Sequence, residues 1–162
     1  MTGKFQPGTR HLVAIDVKSD GQLTGVAGNC WLYYTPEPLA RTSLAGRWTS
    51  SKDMIHYDAD VSLPGHIVGQ TLRRNDVMLD KSREGSNVVL FVDSDTRIHG
   101  AIVNGHWVSR FHHLLSPYLE LNITPWVRFD RPNVIELARF GEDHPRETRC
   151  LEIRYYVPGE YP

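Results

Sequence analysis

The sequence lacks most of the features that would place it in a specialised class of protein. Nowhere are there enough consecutive apolar residues to span a bilayer, and the start MTGKFQPGTRHLVAID has no signal-peptide core, so we expect synthesis in the cytoplasm and no membrane partner. The 18 basic and 19 acidic side chains give a net charge of −1, which argues against a nucleic-acid partner. A chain of 162 residues can bury its own core, and we predict a single domain over 1–162.

Cysteines are few, and recognisable catalytic motifs are absent. Cys30 and Cys150 leave two alternatives open, a disulfide between terminal strands or two free thiols. The sequence contains no G-x-S-x-G elbow, phosphate-cradling glycine loop, H-E-x-x-H or Cys-x-x-Cys. We therefore expect no enzymatic activity and no required cofactor.

The strongest local signals lie in the stretch 90–137. Asn104-Gly105 separates two alternating apolar runs and tolerates the positive φ angles of a type I′ turn, which predicts a β-hairpin. Apolar residues then alternate with polar ones over Leu119–Ile123, the period of a half-buried strand. Thr124-Pro125 predicts a short helical turn with Thr124 as its N-cap, ending before Arg131-Pro132.

The whole chain contains about ten short runs of strand character and no helix of amphipathic period, which predicts an all-β sandwich or barrel. Outside the stretch just described, the predicted strands are 11–17, 22–27, 31–34, 55–63, 71–79, 87–93, 134–140 and 151–157. The run 87–93 is almost continuously apolar, which predicts a central strand covered on both faces. Segments 35–45 and 141–149 are predicted to be loops.

The order of the motifs V-N-G, S-P-Y, L-N-I-T-P and P-N-V-I-E-L resembles the sugar-binding domain of family 2 glycoside hydrolases. A weaker likeness includes Gly46-Arg47-Trp48 and the strand at 71–79, so the resemblance is strongest over 46–140. It implies a β-sandwich jelly roll of the galactose-binding-like type, with catalysis confined in that family to a separate barrel domain. The chain departs from the family pattern at Arg110 to Leu115, and we expect this segment to determine the chain's own partner.

Carbohydrate recognition requires an aromatic face for the sugar ring and planar polar groups for its hydroxyls. The hairpin and the loop that follows it could bring such groups to one end or face of the sandwich. The candidate ligand-binding residues are Trp107, Arg97, His99, Arg110, His112 and His113. The competing interpretation is that Trp107 is buried and that the two arginines are solvated or paired with carboxylates. Trp31, Trp48 and Trp126 are interpreted as core or edge-packing residues.

Metal binding is the weaker interpretation of the histidine and aspartate clusters. His99, His106, His112 and His113 fall within fifteen residues, but adjacent loop histidines point apart and no carboxylate or thiol completes a zinc-site spacing. Asp93 and Asp95 could hold a structural calcium ion, which is frequent in galactose-binding-like modules. The simpler interpretation of Asp-Ser-Asp-Thr is a strand-ending turn.

Two functional hypotheses follow. The first is a non-catalytic module that binds carbohydrate. The second is a structural or interaction subunit, such as a capsid or tail decoration protein of a virion, that attaches to neighbouring protein subunits in an oligomer or larger assembly. The Pro- and Tyr-rich segment 155–162 would suit such docking.

Overall fold

The computed structural model describes residues 36–67, 71–94, 98–109, 118–139 and 146–159. The chain separates into two compact units, 1–35 and 36–162, and every described residue belongs to the second. The strands predicted at 11–17, 22–27 and 31–34 therefore lie outside the described residues, and the single domain over 1–162 stays a prediction.

The described strands form two antiparallel sheets. In spatial order, the first sheet contains β1 (Ala40–Ser43), β11 (Arg146–Tyr156), β6 (Asn87–Ser94) and β9 (Tyr118–Asn122), and β4 (Gly65–Ile67) also pairs with β11. The second sheet contains β3 (Ala59–Leu63), β2 (Gly46–Ser51), β5 (Thr71–Val77), β10 (Asn133–Arg139), β7 (Ile98–Val103) and β8 (His106–Ser109). The predicted all-β sandwich is confirmed.

The core lies between the sheets and follows the alternation of their strands. Leu90 of β6, Ile153 of β11 and Leu137 of β10 are each at most 1% exposed, and Trp48 of β2 is buried with them. Each such side chain contributes about 1.5–3 kcal/mol through removal from water. The predicted central position is confirmed, because β6 lies between β11 and β9. The predicted cover on both faces holds in part, since the outward-facing Val89 is fully buried but Phe91 and Asp93 are only partly buried.

The predicted hairpin is confirmed in its position and its turn. Asn104 and Gly105 have φ angles of 51° and 86°, and Val103 pairs with His106 across the turn. Positive φ at both central residues is the requirement that Asn-Gly meets at low cost, since glycine has no Cβ and asparagine tolerates the left-handed region.

Two loop predictions are wrong in part. Within 35–45, β1 pairs with β11, and the Leu39 N–H donates to the Tyr155 carbonyl at 2.7 Å. Within 141–149, Arg146 already begins β11. Neither segment shows a regular apolar alternation, and the strand structure comes from hydrogen bonds to a partner strand. Conversely, the predicted strand 55–63 begins only at Ala59.

Thr124 does not act as the predicted N-cap. A 3₁₀ turn spans Thr124–Trp126, but the residue before it is Ile123, which has no capping side chain. The Thr124 hydroxyl instead accepts a hydrogen bond from the Val88 N–H at 2.8 Å, at the start of β6. Within the described ranges the helices are this turn and the 3₁₀ turn Lys81–Arg83, and neither could cross a membrane.

The fully buried side chain of Asn133 joins three segments at one end of the second sheet. Its Nδ2 donates to the carbonyls of Val77 at 3.1 Å and Arg128 at 2.8 Å, and its Oδ1 accepts from Asn104 Nδ2 at 2.8 Å. Asn104 also bonds the backbone of Val134 twice, at 2.9 and 3.0 Å. The hairpin turn is thus tied to β10, and this contact fixes the register between β7 and β10.

Replacing Asn133 by alanine should lower the free energy of unfolding by on the order of 3 kcal/mol, because buried polar groups of Val77, Arg128 and Asn104 lose their partner. Asn75→Ala is the matched control, since Asn75 is exposed on β5, and it should lie within about 0.5 kcal/mol of wild type. Urea unfolding followed by circular dichroism measures both. Equal stability of the two variants would contradict the role assigned to Asn133.

Candidate functional site

Trp107 faces solvent on the outer side of the second sheet. It lies in the edge strand β8, opposite Ile102 of β7, while its neighbour Val108 points into the core. Side chains of successive strand residues point to opposite faces, so burial of Val108 turns the indole outward. Trp107 is 46% exposed, which rules out the buried alternative.

Gly100 allows the Trp107 indole to approach the backbone of β7 closely. A Cβ on Gly100 would come within 2.9 Å of indole Cζ2 and 2.6 Å of the Val108 carbonyl oxygen. Both distances are shorter than the van der Waals contacts of a real Cβ atom. Residue 100 must therefore be glycine for the two strands and the indole to come this close. The six-membered ring of the indole therefore lies against the backbone at Gly100, while 46% of the Trp107 surface is exposed.

A row of outward-facing residues continues from Trp107 across the sheet. Ile102 pairs with Trp107, Glu136 with Ile102, and Arg73 with Glu136, and paired residues of antiparallel strands point to the same side. We call these four residues the cross-strand row. It runs from an aromatic residue through an aliphatic one to an ion pair.

Tyr57, from the loop between β2 and β3, covers the charged end of the cross-strand row. Its hydroxyl donates to Glu136 Oε2 at 2.7 Å, and Arg73 Nη2 donates to Glu136 Oε1 at 3.0 Å. The Arg73 guanidinium lies 3.7 Å from the centre of the Tyr57 ring, a cation–π contact. Burial raises the pKa of Tyr57 and the Glu136 charge adds to this rise, so the phenol keeps its proton and donates.

The loop that carries Tyr57 is held by Asp53. Asp53 Oδ1 accepts from the backbone N–H groups of Ile55 at 2.9 Å and His56 at 2.8 Å, and Oδ2 lies 2.6 Å from His56 Nδ1. Hydrogen bonds from His56 hold the pKa of Asp53 well below its usual range. The Asp53 carboxylate raises the pKa of His56, first by its hydrogen bond and then by its charge.

A recess of about 350 Å³ adjoins the other edge of the same sheet, at β3. Its lining combines hydroxyls with charges of both signs and includes Lys52, Asp58, Asp60, Ser62 and His66. Arg47 forms a two-point ion pair with Asp60, at 2.9 and 2.6 Å. Among the described residues its lining includes no tryptophan, tyrosine or phenylalanine, the side chains on which sugar rings usually stack.

The remaining predicted ligand-binding residues are placed only in part. His99 precedes Gly100 and is the extra residue of a β-bulge, since Ile98 and Gly100 pair with consecutive residues of β10. It is partly buried. The other four predicted residues, Arg97, Arg110, His112 and His113, lie outside the described residues.

Asp93 is engaged by an arginine of the neighbouring strand. Its Oδ1 accepts from Arg149 Nε at 3.0 Å and Nη2 at 2.7 Å. Among the residues that the structure describes, no group of three or more histidine, cysteine or acidic side chains is arranged to hold a metal ion. Asp95 lies outside them, so the calcium site stays a prediction.

The outer face of the first sheet carries a second exposed aromatic residue, Tyr118, which is also 46% exposed. It stacks on Phe91 with ring centres 5.9 Å apart, and the Arg154 guanidinium lies 3.4 Å from the centre of the Phe91 ring. Arg154 forms an ion pair with Glu120 at 3.1 Å. Cys150, on the same strand as Arg154, is a free thiol whose pKa is raised by burial.

Tyr57, Arg73 and Glu136 were not predicted from the sequence as site residues. The opposite charges of Arg73 and Glu136 were visible, but the two residues are 63 positions apart. Only the pairing of β5 with β10 makes them neighbours, and a sequence without known pairing carries no signal for it.

The sandwich is similar to parts of solved glycoside hydrolases. A family 2 member from Bacteroides cellulosilyticus DSM 14838 matches with a TM-score of 0.56 and 18% identity, over 74% of this chain and 21% of that one. The β-glucuronidase of Lactobacillus rhamnosus matches with a TM-score of 0.57 and 13% identity, over 78% and 30%. The β-glucuronidase of Dictyoglomus thermophilum matches with a TM-score of 0.55 and 15% identity, over 77% of this chain and 30% of that one. This chain thus spans less than a third of the enzymes it matches.

No protein-family model and no curated protein sequence matches the chain. At these identities the similarity to solved structures shows a shared fold. The resemblance inferred from motif order is confirmed at that level, since the matching structures contain a sandwich of the same kind.

Replacing Gly100 by alanine should lower the free energy of unfolding by about 1–3 kcal/mol, because the new methyl group meets the Val108 backbone and the Trp107 indole. It should also move the indole, which a change in tryptophan fluorescence would report. Ser109→Ala, opposite Gly100 on β8, adds no atom and serves as the control. Unchanged stability and fluorescence in Gly100→Ala would show that the indole does not lie on this glycine.

The pKa of His56 should lie above its ordinary value of 6.5, and Asp53→Asn should bring it back towards 6.5. The control is Asp58→Asn, because Asp58 acts on His56 only through its charge and should change its pKa less. Titration of the imidazole protons by NMR measures all three proteins. The protonation of His56 contributes to the stability of the loop. This contribution is fully present below pH 6.5 and is lost as the pH rises through the raised pKa of His56. The ionised Asp53 carboxylate makes a second contribution, which is lost as the pH falls through the lowered pKa of Asp53.

Proposed function

We propose that this chain is a non-catalytic module that binds carbohydrate, with Trp107 as its platform. The observation that carries the proposal is the indole that lies against Gly100 and belongs to a residue 46% exposed on the outer side of the sheet. Sugar rings have an apolar face of C–H groups that stacks on flat aromatic surfaces, while their hydroxyls need polar groups beside that surface. Glu136 and Tyr57 supply polar groups within the same outer face.

The comparisons support the non-catalytic part of the proposal. The chain matches between 21% and 30% of the length of enzymes titled glycosyl hydrolase or β-glucuronidase. In the family that the sequence resembles, catalysis belongs to a separate barrel domain. Glu136, a carboxylate on the same face as the platform, is also hydrogen-bonded to Arg73 and Tyr57.

Attachment to a virion or another protein assembly remains the alternative derived from the sequence. The structures compared above carry the titles of glycoside hydrolases, which lend that alternative no support. Arg97, Arg110, His112 and His113 remain candidates for further sugar contacts on sequence grounds.

A glycan array should reveal saturable binding by the wild-type protein, and Trp107→Ala should weaken it by about tenfold or more, which corresponds to roughly 1.4 kcal/mol. Tyr118→Ala is the matched control, because Tyr118 is equally exposed but lies on the other sheet. Circular dichroism should show that both variants are folded. If no glycan binds at millimolar concentration, or if the two variants lose binding equally, the Trp107 platform is wrong.

A further inference from the structure

We propose that the cross-strand row binds a glycan of at least two rings that lies across the strands, with one ring on Trp107 and the hydroxyls of the next ring at Glu136 and Tyr57. This inference rests on the carbohydrate-binding function proposed above. It adds the direction of the glycan, its minimum length and two residues that determine specificity.

The spacing of the row sets the length of the glycan. Trp107, Ile102 and Glu136 are successive partners on β8, β7 and β10. Neighbouring strands lie about 4.8 Å apart, so the Cα atoms of Trp107 and Glu136 are separated by roughly 10 Å. This is about the span of two linked pyranose rings. The indole itself reaches Gly100 on β7, which is one strand and two residues from Glu136. Roughly 8 Å still separate the Cα atoms of Gly100 and Glu136, so a single ring on the indole would stop short of the carboxylate.

The middle of the row suits the passage of a sugar chain. Ile102 is partly exposed between the indole and the carboxylate, and its neighbours Ala101 and Val103 point into the core. An aliphatic side chain at this point continues the apolar surface that the indole begins. It offers no donor or acceptor, so the polar recognition of the glycan is concentrated at Glu136 and Tyr57.

The charged end is organised to accept hydrogen bonds. Glu136 receives one donor on each oxygen, from Arg73 and Tyr57, and an ionised carboxylate has about four acceptor positions. About two acceptor positions therefore receive no donor from the residues that the structure describes. Because both partners already hold the carboxylate in place, little conformational entropy is lost when a ligand binds. The Glu136 side chain is 13% exposed and that of Arg73 31%, so a ligand would reach the carboxylate only at the edge that Tyr57 leaves uncovered.

The loop that carries Tyr57 completes this end of the site. Its Asp53 hydrogen bonds fix the backbone of Ile55 and His56, the two residues immediately before Tyr57. The phenol is thereby directed towards Glu136 from one side while the sheet supports Arg73 from the other. A glycan ring bound at Glu136 would contact Tyr57, which limits the site at this end.

The test is an NMR titration with glucose, galactose, mannose and xylose and with their linear oligosaccharides of two to four units. The indole N–H signal of Trp107 reports binding down to millimolar affinity. In a series that binds, we expect the affinity to rise about tenfold or more from one ring to two. Further units should add little, because Tyr57 covers the charged end of the row.

Two variants separate the two ends of the row. Glu136→Gln and Tyr57→Phe should remove the gain from the second ring while leaving the binding of one ring unchanged, whereas Trp107→Ala should weaken both. Glu120→Gln is the matched control, because Glu120 also pairs with an arginine and its side chain is 12% exposed, but it lies on the other sheet. If Glu136→Gln does not fold, Tyr57→Phe decides, since it removes one hydroxyl and keeps the ring on Arg73.

The outcomes distinguish this inference from the function on which it rests. Binding that depends on Trp107 but gains nothing from the second ring, or that responds alike to the Glu136 and Glu120 variants, overturns the two-ring arrangement and leaves the platform in place. Wild-type protein that binds none of the saccharides at any length overturns both. A length-dependent gain that Glu136→Gln and Tyr57→Phe abolish supports both.

Discussion

The hydrogen bonds that tie Asn104 to β10 determine which side chains of the second sheet face solvent. Asn104 bonds the backbone of Val134 twice and the side chain of Asn133 once, so the register of β7 against β10 is held at the turn. A slip of one residue would send outward-facing side chains into the core and core residues into water. The placement of Trp107 beside Ile102 and Glu136 therefore depends on a contact at the hairpin turn, one residue pair away from Ile102 and Trp107.

The same register explains why a polar group lies near an exposed indole. Three strand pairings, β5 with β10, β10 with β7 and β7 with β8, place Arg73, Glu136, Ile102 and Trp107 side by side. Opposite charges on neighbouring strands stabilise a sheet by a few tenths of a kcal/mol to about 1 kcal/mol. Arg73 and Glu136 thus add to the sheet's stability and, in our proposal, also serve recognition.

The accuracy of the sequence-based fold prediction varied with the kind of signal. The Asn104-Gly105 turn was predictable because positive φ at two consecutive positions restricts the residues that fit. The central strand β6 was predictable because an apolar run of that length must be buried. Strand β1, with the sequence A-R-T-S, was missed because its structure derives from pairing with β11 and not from its own side chains.

The sequence by itself therefore determined the class of fold, the hairpin and the presence of a tryptophan that was free to face either way. Only the tertiary structure decided that Trp107 faces outward, that Gly100 lies beneath its indole, and that Tyr57 and Glu136 share its face. The physical reason is the separation of the interacting residues along the sequence. Turn formation and apolar alternation depend on residues that are only a few positions apart. The Tyr57–Glu136 contact joins residues 79 positions apart, through strand pairings that no local pattern specifies.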